Sequence, residues 1–255
     1  MDRANADSAS HCYQREWLKY PVFAVTELIG VAAVVFVVVW VTKYQEGFAW
    51  DGSYSQFNWH PVLMIIGLLF LFGNSIVIFR VLSSVNKFAV KLVHASLHTT
   101  SIVCIILALY AVINNKNFNN QPHFFSLHSW VGITTVALFA TQFFVGFAAY
   151  LFPQFPQDKK EWLMPVHKYL GATIFIMAIV SIVSGIQEQF SFIDTPPKNP
   201  YASLPAYGAV GNLVGASAVL FGLGVGLLLT NSAFAKIEKV PYVRFREDDY
   251  ESEDQ

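Results

Sequence analysis

The run HPVLMIIGLLFLFGNSIVIF, residues 60–79 from His60 to Phe79, decides the architecture. It opens with His-Pro and contains no Asp, Glu, Lys or Arg. A helix needs about 20 apolar residues to cross a hydrocarbon core. In lipid every backbone amide must be satisfied within its own element, so such a run reads as a membrane-spanning helix. The period-two alternation of a strand is absent.

Five further stretches qualify: residues 21–44, 92–113, 124–152, 165–186 and 207–235. The first carries one acid, Glu27, ahead of Lys43, while the spans at 60–79, 92–113, 124–152 and 207–235 are free of charged residues. Over all 255 residues, 55% are hydrophobic, 13% are charged, and the mean hydropathy is +0.46. Soluble domains carry about 25% charged residues. This excludes a soluble globular enzyme and a disordered chain. A net charge of -1 without a basic stripe excludes a nucleic-acid binder. The two cysteines, Cys12 and Cys104, form no readable disulfide framework, and no Asn-x-Ser/Thr acceptor occurs. The expected fold is an all-α membrane protein with six transmembrane helices.

Residues 1–20 are polar and of mixed charge, unlike a secretory signal, so the first span is expected to be retained as an anchor. With the N-terminus in the cytosol, thirteen of the 16 Lys and Arg residues fall on the cytosolic side, and only Lys43, Lys116 and Lys198 fall outside. The positive-inside rule therefore places both termini in the cytosol. The domain division is a cytosolic tail at 1–20, a membrane domain at 21–235, and an acidic tail at 236–255 that is expected to be disordered. Tyr242 to Phe245, YVRF, has the form of a tyrosine-based sorting signal.

His60, His94, His128 and His167 each stand near the start of a span. Spans two and four descend and spans three and five ascend, so His60 and His128 share the outer level. His94 and His167 share the cytosolic level. Two histidines at matched depth on neighbouring helices can hold one planar iron macrocycle, and two such pairs give one site per leaflet. A histidine at a helix start is otherwise an interfacial hydrogen-bonding residue. Four of them in matched pairs are better explained by function, because polar groups inside a membrane are costly. Haem iron takes neutral imidazole. Zinc lacks a Cys or carboxylate to complete a tetrahedron. Proton relay is the other functional use. His98, four residues after His94 on the same helix face, reads as a hydrogen-bond partner of the inner site, with competition for the ligand position as the alternative. Trp59 and Trp130 flank the outer histidines and fit either an aromatic belt or haem packing. Gly211-x-x-x-Gly215 and Gly222-x-x-x-Gly226 read as helix-packing features. No G-x-G-x-x-G follows a strand, so no nicotinamide or flavin site is supported.

The stretches FNWHPVLM (57–64), KFAVKLVH (87–94), SLHSWVG (126–132) and LMPVH (163–167) resemble the cytochrome b561 family over roughly residues 20 to 230. GITT from Gly132 and SGI from Ser184 look most like its lysosomal ascorbate-dependent ferrireductase branch, with the duodenal ferric reductase more distant. The resemblance implies two haems b held between helices 2–5. His60 and His128 would hold the outer haem, and His94 and His167 the cytosolic one. It implies that Arg80, Lys87 and Lys91 contact haem propionates or ascorbate, that Lys160 matches an arginine of that site, and that Glu188 lies beside the outer haem. A cationic rim suits ascorbate, a monoanion at neutral pH. Lys116 stands where several members carry His, and Phe125 where Tyr is usual, with the His123 imidazole nearby.

The expected function is electron transfer from cytosolic ascorbate to ferric iron or monodehydroascorbate on the luminal or extracellular side. The membrane is expected to be endosomal, lysosomal or plasma membrane. The lipid bilayer is the implied surrounding, and a homodimer is the assembly left open. A transporter or proton channel with histidine relays is the alternative, and a haem-binding sensor without turnover is a third reading.

Overall fold

The computed structural model describes residues 17–152, 155–193 and 205–234. Six long helices cover most of them: α1 (Lys19–Tyr44), α2 (Tyr54–Val81), α3 (Lys87–Phe118), α4 (Leu127–Leu151), α5 (Gln157–Ile193) and α6 (Ala206–Thr230). All six are long and apolar enough to cross a membrane, and the described residues contain no strand. The fold is all-α, as the apolar runs predict. The tail at 236–255, the YVRF segment and Lys198 lie outside the described residues.

The helix ends differ from the apolar runs for local reasons. α3 begins at Lys87 because Asn86 Oδ1 accepts from the Phe88 and Ala89 amides at 2.8 and 3.3 Å, an N-cap that hydropathy does not register. α4 begins at Leu127, not at Phe124. Phe124 has φ 52°, and the extended Ser126 caps the helix through Oγ to the Ser129 amide at 3.2 Å. α5 runs well past the predicted 165–186, and Pro165 lies inside it. Its polar first turns are helical before the apolar stretch starts. α2 is composite: Asn58 separates Tyr54–Phe57 from Trp59–Met64, and a π-helical segment, Ile65–Leu71, leads into Phe72–Val81. Ser101 of α3 reaches into that segment, with its hydroxyl 3.0 Å from the Gly67 carbonyl. That carbonyl also accepts from the Phe72 amide, so the Ser101 hydroxyl takes its second lone pair within the π turn.

α2 is the central helix, with Ile65, Leu68, Leu69, Phe72 and Val77 all buried. Phe72 meets Phe139 of α4 and Phe175 of α5 at ring-centroid distances of 4.9 and 5.3 Å. α1 packs chiefly on α6, and α4 on α5. Gly211 and Gly222 of α6 face Phe190 and Ile179 of α5, where a Cβ would collide. Small residues thus let these backbones approach, which is what drives helix association in lipid. Glu27 accepts from Asn74 Nδ2 at 3.2 Å, so the one acid of the first span has a polar partner on α2.

The two ends of the bundle are distinct. Lys19 reaches Ser83 at 2.8 Å, and Arg80 reaches Leu229 O at 2.8 Å, so the start of α1 and the ends of α2 and α6 share one face. That face also carries Lys87, Lys91, Lys159, Lys160 and Lys168. We call it the basic face. On the opposite face, among the described residues, stand only Lys43 and Lys116. There Asn58 Nδ2 donates to Gln45 O and Gly47 O at 2.5 and 2.7 Å, and Asn115 Nδ2 donates to Ser53 O at 2.7 Å. Gln56 Oε1 accepts from the Gly52 amide and from Asn114. These amide side chains tie the loop at 45–53 to α2 and α3, and so fix the start of α2 just before His60.

Candidate functional site

Near the basic face, His94 of α3 and His167 of α5 face each other, with ring centroids 6.4 Å apart. His94 Nδ1 lies 2.8 Å from the Ser75 carbonyl of α2. Both rings line an apolar cavity of about 670 Å³ with Phe72, Phe139 and Phe147. That volume is within the range of pockets that hold small molecules and cofactors. Near the opposite face, His60 of α2 and His128 of α4 face each other at 6.1 Å, with ring planes at 87°. His60 Nδ1 lies 3.3 Å from Ala108 O, and His128 Nδ1 lies 2.8 Å from Ser181 O. The two levels are separated by the fourteen residue steps of α3 from His94 to Ala108. That is about 21 Å at the helical rise.

These pairs suit a metal carried by a macrocycle. A ring nitrogen lies about 1 Å from its centroid, and metal–imidazole bonds are about 2.0–2.1 Å. Two imidazoles on opposite sides of one metal ion therefore set their centroids about 6 Å apart, as both pairs do. Nδ1 of His60, His94 and His128 is taken up by a backbone carbonyl, which fixes the tautomer and leaves Nε2 as the ligand atom. Among the described residues no group of three or more His, Cys, Asp or Glu is placed to hold a metal ion. Two imidazoles alone match an ion that brings its own in-plane ligands. Room is made by glycine: a Cβ at Gly146 would stand 2.9 Å from His167 Cε1, and one at Gly185 would stand 2.7 Å from His128 Cε1.

The cavity opens among cations. Arg80, Lys87, Lys91 and Lys168 line it. Arg80 also donates to Leu229 O at 2.8 Å, so part of its guanidinium is engaged by the C-terminal carbonyls of α6. Lys91 Nζ lies 3.5 Å from the Tyr150 carbonyl. Lys160 is not among the cavity-lining residues; its backbone oxygen faces the Tyr150 hydroxyl at 3.5 Å. Lys168 takes the rim position instead, one residue after His167. Sequence reasoning counted it for orientation only, although its adjacency to a histidine was a usable signal.

His98 departs from expectation. Its Nδ1 is buried and has no hydrogen-bond partner among the described residues. Its ring stands edge-on to His94 at 4.5 Å and between Phe72 and Phe139 at 5.3 and 5.2 Å. It is a ring contact on the cavity wall, not a hydrogen-bond partner of the His94 ring. Sequence reasoning also missed Tyr150 and Gln142. Tyr150 lines the cavity with its ring 5.3 Å from His167, and Gln142 Nε2 donates to His167 O at 2.9 Å.

At the opposite face the Glu188 carboxylate accepts from Ser126 Oγ at 2.8 Å, two residues before His128. The Lys116 ammonium lies 4.8 Å from the centroid of the Phe125 ring and donates to Pro122 O at 3.3 Å. Lys116 and Phe125, the two outer positions that the resemblance singled out, are therefore in contact. His123 turns to Asn117 Oδ1 at 2.8 Å, and its ring neighbour is Phe124. Trp59 packs on Phe48 and Trp50 of the loop, and Trp130 is largely exposed. Both suit an interfacial aromatic belt.

The family model for eukaryotic cytochrome b561 matches residues 59–193, which includes all four histidines. The chain is 40% identical over 224 residues to the lysosomal membrane ascorbate-dependent ferrireductase of Danio rerio, covering 86% of this chain and 91% of that protein. To the protein of the same name from Homo sapiens it is 38% identical over 212 residues, covering 82% and 88%. To the plasma membrane ascorbate-dependent reductase of Xenopus laevis it is 38% identical over 211 residues, covering 82% and 74%. Two facing histidine pairs at separate levels of a six-helix apolar bundle and a match of this extent lead to one assignment: the chain belongs to the eukaryotic cytochrome b561 family.

Proposed function

We propose that the chain is an ascorbate-dependent transmembrane oxidoreductase holding two haems b, one between His94 and His167 and one between His60 and His128. Haem b supplies one-electron redox chemistry at each level. The protein's own task is to bind, orient and insulate. Lys87, Lys91 and Lys168 ring the mouth of the cavity and concentrate the ascorbate anion at the basic face. Arg80 braces that mouth against α6 and adds positive charge for a propionate. Lys160 orients Tyr150 through its backbone oxygen. Phe72, Phe139 and Phe147 keep water from the level below.

The electron leaves ascorbate in the cytosol, where both termini also lie, and is accepted by ferric iron on the luminal or extracellular side. The membrane is of the endosomal and lysosomal system or the plasma membrane; the names of the relatives print lysosomal membrane and plasma membrane for those proteins. Ferric chelate is favoured over monodehydroascorbate. Lys116 offers a cation on an aromatic face, and Phe125 lacks the hydroxyl that a tyrosine would present to the ascorbyl ring. Glu188 holds the start of α4, and with it His128, through Ser126.

One observation carries this reading: both histidine pairs have the separation that one shared metal ion requires, and the cavity at His94 and His167 is lined by Arg80, Lys87, Lys91 and Lys168. The test is reconstitution into vesicles, with ascorbate on the basic-face side and a ferric chelate on the other. Ferrous iron should form only across the membrane. No more iron reduction than in protein-free vesicles with the reagents on opposite sides, or no haem absorbance, rejects the reading.

A further inference from the structure

Beyond the ligands themselves, one residue touches His94 unusually closely. Ser75 of α2 is fully buried and presents two oxygens to His94 Nδ1: its carbonyl at 2.8 Å and its hydroxyl at 2.9 Å. The same hydroxyl lies 3.4 Å from the His94 carbonyl. If Nε2 binds iron, the ring proton resides on Nδ1, so Nδ1–H donates and both serine oxygens accept. The hydroxyl hydrogen is then directed at His94 O. Ser75 thus holds the His94 ring from a neighbouring helix through two close oxygens, with the contact to the His94 backbone much weaker.

At the other level the arrangement recurs on a different helix pair, in a looser form. Ser181 of α5 presents its carbonyl to His128 Nδ1 at 2.8 Å, but its hydroxyl stands back at 3.4 Å. Ser184 also donates to the Ser181 carbonyl, at 3.0 Å, and so competes for that acceptor. Among the described residues His60 Nδ1 meets the Ala108 carbonyl at 3.3 Å, and alanine has no hydroxyl to add.

The geometry points to Ser75 and Ser181 as positioning residues that set the two haem potentials separately, with the Ser75 hydroxyl the stronger of the two. An acceptor on Nδ1–H makes the imidazole a more basic ligand. A more basic ligand favours the ferric state and lowers the potential. A 2.9 Å contact does this effectively, while one at 3.4 Å is near the limit of a hydrogen bond. This inference rests on the reading that each histidine pair holds a haem.

The test is a spectroscopic redox titration of the purified full chain, with electron paramagnetic resonance of each ferric haem. Ser75→Ala removes only the hydroxyl and keeps the carbonyl. It should raise one potential, that of the haem lost in His94→Ala, and leave the other in place. Ser181→Ala should raise the other potential by a smaller shift. Ser101→Ala serves as the control: Ser101 is an equally buried hydroxyl, bonded to the Gly67 and Leu97 carbonyls, and should move neither. Haem content should equal the parent's in all three. No shift in Ser75→Ala, a larger shift in Ser181→Ala, or an equal shift in Ser101→Ala overturns the proposal. A parent without two haems overturns the underlying reading as well, and haem content alone identifies that outcome before any potential is measured.

Discussion

Gly146 of α4 lies against the His167 ring of α5, and Gly185 of α5 lies against the His128 ring of α4. Built Cβ atoms would stand 2.9 and 2.7 Å from the respective Cε1 atoms. Each helix of the pair thus gives up a side chain to seat the other's histidine. Gly146→Val should displace His167 and abolish binding at its level alone, and Gly185→Val should do the same at the His128 level. Overpacking of this kind costs about 1–3 kcal/mol. The check is haem content together with the reduced-minus-oxidised spectrum of each variant. Two intact haems in both variants would show that the rings are not pinned by these glycines.

His94→Ala should remove the haem of the basic-face level and leave that of the His60–His128 level largely intact, because the levels share no ligand and are about 21 Å apart along α3. Pyridine haemochrome assay of the single and the His94/His167 double variant measures this. A double variant that keeps both haems would refute the pairing.

Lys87→Ala combined with Lys91→Ala should slow reduction by ascorbate about tenfold at low salt while haem content stays near the parent's. The difference should shrink as ionic strength rises, since exposed rim charges are screened within a Debye length. Stopped-flow rates across a salt series decide the matter. Parent-like rates at low salt would leave these lysines with a role in orientation only.

Lys116 and Phe125 meet as a cation over an aromatic face, and they should act together on the acceptor. Phe125→Tyr with Lys116→His should shift preference toward monodehydroascorbate and away from an anionic ferric chelate. The measurement is oxidation of pre-reduced protein by each acceptor. Unchanged ratios in the double variant would remove this pair from acceptor choice.

Asn86 caps α3 through two amide hydrogen bonds and so sets the register of Lys87, Lys91 and His94. Asn86→Ala should cost about 0.5–2 kcal/mol of stability and Asn86→Asp much less. Thermal unfolding in detergent, followed by haem absorbance, tests the ordering.

Six apolar runs, the alternation of helix direction and the four histidines near helix starts were all legible in the chain by itself. Each depends on local composition and on the single constraint that a bilayer places on backbone amides. Matched depth follows from direction and length, so the pairing of His60 with His128 and of His94 with His167 could be expected before any coordinates. What faces each ring could not. Ser75, Ser181, Gly146 and Gly185 lie between 19 and 57 residues from the histidines they touch. Their meeting depends on the rotation of each helix about its axis, which uniform apolar runs do not encode. The same reason explains His98, which shares a helical face with His94 yet finds aromatic rings where a polar partner was expected. It also explains the exchange of Lys160 for Lys168 at the cavity rim. Position along the membrane normal is written in hydropathy. Position around each helix is decided only when side chains of different helices compete for the same space.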